Sequence, residues 1–321
     1  MGNVSIICIG DSSCDKILEI DPGDAGLLCN LKSHKCEITF NYGEKIPVKA
    51  IHEGFGGSAL NCALGFEKIG LQTKISTFVG NDEAGKNIIR FLHENKIDLD
   101  LVSVQGETNQ SSIVSFQGER TVFSYHAKRN YDEVQSEKTD WIYLSSAGAG
   151  SDAYQDKVVQ FNERGAKIAF NPGSWQLNNF SRFSKIIKVC DVLILNRPEA
   201  DLIIGEEDKV KSQLQKMNEM GAKIAVITDG KNGAYLGANG HYLHINALTA
   251  KAVDSTGAGD SFSAGFVGSI ALGNSLEESA KWGMVNSGSV IEQFGANKGL
   301  LDGDEISKRV ESIKSFKMTL I

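Results

Sequence analysis

Residues 254–260 read Asp-Ser-Thr-Gly-Ala-Gly-Asp, and a run of small and apolar residues follows as far as Leu272. That run predicts a buried helix, so the Gly257-Ala258-Gly259 turn stands at a helix N-terminus. Unpaired backbone N–H groups and the helix dipole favour an anion there, and glycine lets phosphate oxygens come close to the backbone. The stretch therefore predicts an anion site with the Asp260 carboxylate beside it.

The role of Asp260 stays open at the level of spacing. The carboxylate could cap the helix, or it could act as a general base that deprotonates an incoming hydroxyl group. The turn is not a P-loop, because no Gly-x-x-x-x-Gly-Lys-Ser/Thr sequence occurs. It is not a dinucleotide fingerprint either, because that motif follows the first strand, where Gly10-Asp11-Ser12-Ser13 stands here.

Composition excludes several classes of protein. The chain has 321 residues with 33 Lys and Arg against 40 Asp and Glu, a net charge of −7. No basic stripe interleaved with aromatic residues occurs, so we expect no nucleic-acid partner. No apolar run approaches the ~18 residues that span a bilayer, so we expect no membrane partner. A negative total does not exclude an anionic small ligand, because one local loop can bind it.

The cysteines predict a reducing environment. None of the six forms a Cys-x-x-Cys pair, and no histidine pair has zinc-site spacing. The N-terminus has no basic segment, and its apolar run is too short for a signal peptide. We therefore expect reduced thiols that serve mostly in packing, and a cytoplasmic protein.

Two kinds of pattern alternate along the chain. Apolar runs begin at residues 6, 73, 141, 167, 192 and 224 and are separated by helix-length amphipathic segments, which indicates βαβ units and a parallel sheet. The stretches 37–43 and 112–126 alternate polar and apolar residues instead. They do not fit a sheet buried on both faces, and they predict a small antiparallel flap built from two insertions.

Three motifs in order carry a family resemblance. Asp-Ser-Thr-Gly-Ala-Gly-Asp-Ser-Phe at 254–262 resembles the C-terminal signature of the ribokinase-like (PfkB) carbohydrate kinases. Gly56-Gly57 with Asn61 resembles the N-terminal Gly-Gly-x-x-x-Asn helix start, and Asn196 with Glu199 matches the Asn-x-x-Glu motif. The resemblance implies an α/β fold, a ribokinase-like three-layer αβα arrangement with a mainly parallel central sheet and a small antiparallel β lid. It implies one domain over residues 1–321, with lid insertions at about 12–52 and 106–130.

The resemblance also implies an ATP-dependent kinase that phosphorylates a sugar hydroxyl. Asp260 would take the hydroxyl proton, and the amides of residues 257–259 would form the anion hole. Asn196 and Glu199 would organise Mg²⁺ and its waters around the phosphates, which suits a hydrated ion. A helix cap at Asn196, with Pro198 in the first turn, is the alternative interpretation of the same residues.

The remaining site residues follow from the same resemblance. Asp15 matches the acidic residue that binds sugar hydroxyls, Asp11 is a second candidate or a turn residue, and Asn61 matches a sugar-binding side chain. Gly56 and Gly57 match the hinge between lid and body. Arg120 belongs to a polar lid segment that could face a substrate. The nucleotide candidates are Thr228, Gly230, Gly233, Asn286 and Ser289, and the candidates for a monovalent cation, usually K⁺, are Asp254 and Thr256.

The sequence departs from ribokinases and leaves alternatives. Ser58 stands where ribokinases have Lys, so ribose is less favoured. Lys128 and Arg129 either suit a carboxylate or phosphate on the sugar, or end a solvated strand. A nucleoside kinase of the same family and a non-catalytic sugar-binding protein remain alternatives, and Ser12 weakly suggests a Gly-Asp-Ser hydrolase. Exposed apolar lid strands predict a homodimer through the lid.

Overall fold

The computed structural model describes residues 4–30, 35–117, 119–135, 137–207 and 209–321. The parts of the predicted lid at 31–34 and 118 lie outside the described residues. The strands are, in chain order, β1 (Ser5–Ile9), β2 (Ser13–Glu19), β3 (Gly26–Asn30), β4 (Lys35–Thr39), β5 (Ala50–Gly56), β6 (Gln72–Val79), β7 (Val102–Val104), β8 (Asn109–Phe116), β9 (Glu119–Tyr125), β10 (Trp141–Leu144), β11 (Lys167–Phe170), β12 (Val192–Asn196), β13 (Ile224–Thr228), β14 (Ala234–Ala238), β15 (His241–Ile245) and β16 (Met318–Leu320).

The α-helices alternate with the strands of the large sheet, as the apolar runs predict. They are α1 (Ser58–Ile69), α2 (Glu83–Glu94), α3 (Gln155–Glu163), α4 (Ser174–Asn178), α5 (Ser184–Lys188), α6 (Arg197–Ile204), α7 (Val210–Glu219), α8 (Ala258–Ala271), α9 (Leu276–Ile291) and α10 (Gly303–Ser312). Short 3₁₀ turns occupy Tyr131–Glu133, Ser151–Tyr154, Phe180–Phe183 and Gly230–Asn232. None of the described helices is long and apolar enough to cross a bilayer.

The central sheet has ten strands in the order β16-β15-β14-β13-β12-β11-β10-β1-β6-β7. The strands from β13 to β7 run parallel, whereas β14, β15 and β16 add an antiparallel edge. After the last helix, α10, residues Met318–Leu320 form the edge strand β16. The predicted three-layer αβα arrangement with a mainly parallel sheet is confirmed.

Two hydrophobic clusters cover the two faces of this sheet. Ile6 and Cys8 of β1 belong to one cluster, and Ile7 and Ile9 belong to the other. Successive side chains of a strand point to opposite faces, so a strand covered on both sides must be apolar at every position. The first cluster includes residues of α1, α8, α9 and α10, and the second includes residues of α3, α5 and α7.

A smaller sheet of four strands, in the order β5-β2-β8-β9, forms the lid. It is antiparallel except for its central β2–β8 pair. The alternating stretch 112–126 predicts the β8–β9 hairpin well. The stretch 37–43 is only partly a strand, because β4 ends at Thr39 and the chain turns at Gly43, where φ is +80°. Its pairing partner is β3, in a separate two-stranded sheet.

The expectation that all cysteines are reduced is wrong for one pair. Cys29 and Cys36 face each other across the β3–β4 hairpin, with their Cα atoms 4.0 Å apart, and form a disulfide. These two cysteines become neighbours only because the strands β3 and β4 pair, so a search of the sequence for Cys-x-x-Cys spacing does not find them. The other cysteines are free, and Cys8, Cys62 and Cys190 are buried. The cytoplasmic location, which rested partly on reduced thiols, stays a prediction.

Two helices bring distant segments of the chain together beneath the lid. Each follows a glycine with positive φ, Gly57 before α1 at +96° and Gly257 before α8 at +75°. The helices pack closely, and a Cβ atom on Gly65 of α1 would lie 2.5 Å from the Cβ of Ala264 on α8. The two N-termini therefore lie side by side, at the carboxyl ends of the parallel strands, where α/β sheets bind ligands.

Candidate active site

The predicted anion turn lies at the start of α8. Gly257 occupies the N-cap position, and a Cβ atom there would lie 2.1 Å from the carbonyl oxygen of Ala296. Only glycine tolerates both that approach and the positive φ. Ala258 and Gly259 are the first residues of the helix, and the Ala258 N–H donates a long 3.3 Å bond to the Ser255 carbonyl. The turn thus presents first-turn amides of a helix to the cleft.

Asp260 is inside the first turn and is not the N-cap, so the capping interpretation is wrong. Its Oδ2 accepts a 2.8 Å hydrogen bond from Nδ2 of Asn61 on α1. Desolvation raises the pKa of the Asp260 carboxyl above its ordinary value, while hydrogen bonds from Asn61 and Ser58 act in the opposite direction. A partly buried carboxylate with a raised pKa is suited to accept a proton.

Three adjoining cavities share lining residues and form one cleft, and two of them meet at the Asp260 carboxylate. The lid-side cavity of about 250 Å³ lies under the small sheet, and the central cavity of about 380 Å³ lies over the α8 N-terminus. Asp260, Arg120 and Ser58 line both. The outer cavity of about 690 Å³ shares Asn196, Thr228 and Gly259 with the central one. Asp260 therefore stands at the boundary between the lid-side and central cavities.

The lid-side cavity collects most of the predicted sugar-binding residues. Asp15, Gly57 and Asn61 line it, as does Asp11. Burial raises the pKa of the Asp15 carboxyl, whose Oδ1 accepts a 2.8 Å hydrogen bond from the Ser13 hydroxyl. Gly56 is beside Asp15 without lining the cavity, and a side chain there would clash with the Asp15 carboxylate. Gly56 and Gly57 join lid strand β5 to body helix α1.

Asp11 is held more firmly than a turn residue requires. The hydroxyl of Tyr131 donates to its carboxylate at 2.8 Å, and the N–H of Gly148 donates at 3.0 Å. His126 Nδ1 lies 3.8 Å from the same carboxylate. These contacts fix the Asp11 carboxylate in the wall of the cavity that Asp15 also lines.

Arg120 extends from lid strand β9 to the loop before α8. Its Nε lies 3.3 Å from Oδ1 of Asp254, and its Nη2 donates to the Ser255 hydroxyl at 3.1 Å. Asp254 also accepts hydrogen bonds from the N–H and hydroxyl of Thr256 and, at 3.0 Å, from the N–H of Gly295. Arg120 thus lines the cavity in which its sugar contact is predicted, but its guanidinium group pairs with Asp254.

The structure confirms the helix-cap interpretation of Asn196 and Glu199, whereas their role toward Mg²⁺ stays a prediction. The Asn196 side chain accepts a 2.9 Å hydrogen bond from the Glu199 N–H, and the Glu199 carboxylate accepts one of 2.8 Å from the Asn196 N–H. This is a capping box at the start of α6. Both residues also line the central cavity. Burial raises the pKa of Glu199, and the charge of Asp260 adds to the effect.

These residues fit a hydrated divalent cation. Two carboxyl groups with raised pKa, Asp260 and Glu199, line one cavity, and the charge of Asp260 contributes to the raised pKa of Glu199. Across the described ranges no cluster of three or more His, Cys, Asp or Glu residues could cage a metal. Mg²⁺ keeps several waters and is usually held by one or two carboxylates with substrate phosphates, so a cage is not required.

The outer cavity contains the predicted glycine loop but not the predicted helix residues. Thr228, Gly230 and Gly233 line it. Asn286 is fully buried, with its Nδ2 donating to Ser261 O at 2.8 Å and its Oδ1 accepting from Leu301 N, so it ties α8 to the chain after α9. Neither Asn286 nor Ser289 lines the cavity. The structure thus places these two residues on another face of α9, outside the cavity lining, and their adenine-pocket role stays a prediction.

The residues that α9 presents to the cavity are a helical stripe that the sequence analysis missed. They are Met284, Ser287, Gly288 and Ile291, which recur at the i, i+3, i+4 and i+7 positions of one face. Leu248 and Phe262 complete an apolar wall opposite the glycine loop. The spacing of these residues indicates one face of a helix, but which face of α9 meets the cleft depends on how the helix packs.

Two alternatives from the sequence find no support in the cleft. The Ser12 hydroxyl is fully buried and shares a 2.9 Å hydrogen bond with Thr77 instead of a histidine. Arg129 donates to the carbonyl oxygens of Gln105 and Glu107, so it braces the lid rather than facing a ligand. Lys128 is exposed, as a solvated strand end would be.

Comparison with known proteins points to one family. The family described as pfkB family carbohydrate kinase matches residues 27–302. A nucleoside kinase of Methanothermobacter thermautotrophicus is 28% identical over 272 residues, which cover 82% of this chain and 86% of the relative. An ATP-dependent 6-phosphofructokinase of Thermoanaerobacterium thermosaccharolyticum is 26% identical over 286 residues, 84% of this chain and 88% of the relative.

Solved structures show the same fold. The crystal structure of the Methanocaldococcus jannaschii nucleoside kinase superposes with a TM-score of 0.79 at 21% identity, covering 97% of this chain and all of that one (100%). A putative ribokinase II of E. coli, crystallised in complex with ATP and Mg²⁺, gives a TM-score of 0.78 at 15% identity, covering 97% of this chain and 100% of that chain.

Proposed function

The chain belongs to the pfkB family of carbohydrate kinases, and from that membership and its cleft we propose that it is an ATP-dependent kinase acting on a hydroxyl of a neutral sugar or nucleoside. The observation that carries the proposal is the position of Asp260, which lines the lid-side and central cavities at once. An acceptor bound in the lid-side cavity and the terminal phosphate of ATP bound in the central cavity would meet at this carboxylate.

The proposed transfer uses the residues of this boundary. Asp260 takes the proton of the acceptor hydroxyl, whose oxygen forms a bond to the γ-phosphorus as the bond from that phosphorus to the ADP oxygen breaks. The amides at residues 257–259 and the α8 dipole stabilise the charge on the transferring group. Such transfer depends on alignment and charge neutralisation more than on covalent chemistry.

ATP and Mg²⁺ are the proposed cofactors. The outer cavity, with its glycine loop and apolar wall, suits an adenosine moiety, and its shared residues lead into the central cavity. Asn196 and Glu199 would hold Mg²⁺ through its waters. When bound, the ion neutralises phosphate charge during transfer. The E. coli structure with ATP and Mg²⁺ has this fold, which supports the assignment.

The charge of the lid-side cavity favours a neutral acceptor. Three carboxylates, those of Asp11, Asp15 and Asp260, line it, and the guanidinium of Arg120 is engaged by Asp254. Carboxylates accept hydrogen bonds from hydroxyl groups and repel phosphate. We therefore propose that sugar phosphates, the acceptors implied by the name of the phosphofructokinase relative, are poor substrates here.

A nucleoside is the second candidate, and one observation favours it. Beyond the carboxylates, the same cavity is lined by Ile113, Val122, Tyr125 and Trp175, an apolar and aromatic wall. Aromatic and apolar side chains bind nucleobases by stacking and burial. A purely sugar-binding protein would have no use for a base at the boundary with an anion site, so we place that alternative third.

The test is ADP release from MgATP with three sets of acceptors: neutral sugars, nucleosides and their phosphorylated counterparts. We expect turnover with at least one neutral acceptor, and much less with its phosphate. If the sugars protect the protein against thermal unfolding but no acceptor releases ADP, the chain is a binding protein and the kinase proposal is wrong.

The lid also supports a proposed homodimer. Ile51 on β5 and Phe123 on β9 are each more than half exposed, and β5 and β9 are the two edge strands of the small sheet. Apolar edge strands of this kind require cover, and a second copy of the lid offers a matching surface.

A further inference from the structure

We propose that Arg120 supplies, from the lid, the positive charge that a bound monovalent cation would otherwise supply to Asp254, so that this protein works without K⁺. The activity test of this inference rests on the proposed kinase function, whereas the thermal-unfolding test does not. It reverses the expectation that Asp254 and Thr256 hold K⁺.

The Asp254 carboxylate is only 5% exposed, and a buried carboxylate needs a compensating charge. In the described parts of the chain its ion-pair partner is Arg120, at 3.3 Å from Oδ1. Among the described residues the Arg120 Nε has no hydrogen-bond partner, so its contact with Asp254 is electrostatic, while the hydrogen bonds from Thr256 and Gly295 use three positions on the two carboxylate oxygens. A carboxylate has about four lone-pair positions, so little of it remains for a cation. Asp254 as folded does not fit a K⁺ site.

The guanidinium is placed to replace an ion. Its second contact is the Ser255 hydroxyl at 3.1 Å, so it spans two successive residues of the loop. Its side chain is only 17% exposed, which limits screening by salt. Burial lowers the pKa of Arg120, but an arginine stays charged in proteins because its ordinary value is so high.

The consequence is that loop order depends on the lid. Asp254 fixes the backbone of Thr256, which leads directly into the anion turn at Gly257. Arg120 lies on β9 of the lid, whereas Asp254 belongs to the body. The charge that compensates Asp254 is therefore carried by a strand of the lid and not by the loop itself.

The first test measures ADP release in buffers of equal ionic strength containing K⁺, Na⁺ or N-methyl-D-glucamine. We expect the wild-type kcat/KM to agree within about twofold across the three buffers, because no ion is used. Arg120→Ala should lose at least about tenfold in N-methyl-D-glucamine and recover most of that loss in K⁺. Lys16→Ala is the matched control, since Lys16 is a lid cation paired with Glu53 on the exposed side of the sheet, and it should behave as wild type.

The second test measures thermal unfolding in the same buffers and needs no acceptor. The wild-type Tm should be the same in K⁺ and N-methyl-D-glucamine, whereas K⁺ should raise the Tm of Arg120→Ala by about 2 °C or more. Strong activation or stabilisation of the wild type by K⁺ would overturn the proposal, as would an Arg120→Ala variant that ignores K⁺ in both assays. If no acceptor releases ADP in any buffer, the kinase proposal fails, and the thermal result alone decides the role of Arg120.

Discussion

The amide of Asn61 donates a 2.8 Å hydrogen bond to the carboxylate of Asp260, although the two residues are 199 positions apart. Each stands in the first turn of a helix that follows a positive-φ glycine, and the helices lie side by side. The bond orients the proposed base and favours its ionised form. It also joins the two terminal motifs of the sequence into one site.

Replacing Asp260 with Asn should remove catalysis while leaving nucleotide binding largely intact. The substitution keeps the size of the side chain but removes the proton acceptor, so kcat should fall by at least about 10³-fold. ADP release and nucleotide titration by calorimetry measure the two effects. Wild-type-like turnover in Asp260→Asn would show that another group takes the proton.

The variant Asn61→Leu should shift the pH dependence of the reaction. A donor to an ionised carboxylate lowers its pKa, so losing the Asn61 amide raises the pKa of Asp260 further. Because the base acts when ionised, the acid limb of kcat/KM should move to higher pH, and kcat at neutral pH should drop about tenfold. A loss of activity with an unmoved acid limb would mean that Asn61 only packs.

Asp15→Asn should weaken acceptor binding selectively. Asp15 lines the lid-side cavity and lies away from the central and outer cavities. We expect KM for the acceptor to rise at least about tenfold, since one charged hydrogen-bond acceptor is lost, with KM for ATP nearly unchanged. Steady-state kinetics with each substrate varied in turn test this, and equal rises in both KM values would contradict it.

Two neighbouring glycines should respond in opposite ways to alanine. A Cβ atom on Gly257 meets the Ala296 carbonyl at 2.1 Å in a positive-φ conformation, whereas one on Gly259 meets nothing within 4 Å. Gly257→Ala should lower the free energy of unfolding by about 3 kcal/mol. Gly259→Ala, inside a helix, should leave it unchanged or raise it by up to about 1 kcal/mol.

Activity measurements distinguish a direct effect of these substitutions on the site from a general loss of stability. We expect Gly259→Ala to be stable yet at least about tenfold slower, because its methyl group would face the central cavity and keep phosphate oxygens from the backbone. Denaturant unfolding and ADP release of the same preparations provide the comparison. A stable and fully active Gly259→Ala would remove the anion turn from the proposed site.

The lid dimer can be tested by mass. Light scattering at micromolar concentration should give twice the 34.7 kDa of one chain. Phe123→Glu, on the exposed edge strand of the lid, should give a single chain, because a charge at the centre of an apolar contact is costly to bury. Leu202→Glu is the control, since Leu202 is as exposed as Phe123 but lies on α6. A monomeric wild type would remove the dimer.

The sequence predicted the core better than the cleft. Strands such as β1 and β12 are apolar at consecutive positions, and a parallel sheet buried on both faces leaves no other choice. The motifs likewise predicted that Asn61 and residues 257–259 would lie near Asp260, because the family resemblance implies one site for them. The face of α9 that meets the cleft could not be predicted, because this helix is buried on most of its surface and the sequence gives no sign of which face is turned to the cavity.

Local chemistry therefore determined the three-layer sheet, the helix starts at Gly57 and Gly257, and the family. Tertiary structure alone decided the relationships between distant segments: the Asn61–Asp260 bond, the Cys29–Cys36 disulfide across a hairpin, and the placement of Arg120 against Asp254. The physical reason is the distance along the chain over which each kind of interaction acts. Backbone propensity and hydrophobic period act over a few residues, whereas the compensation of a buried charge depends on which side chain the folded chain brings within a few ångströms.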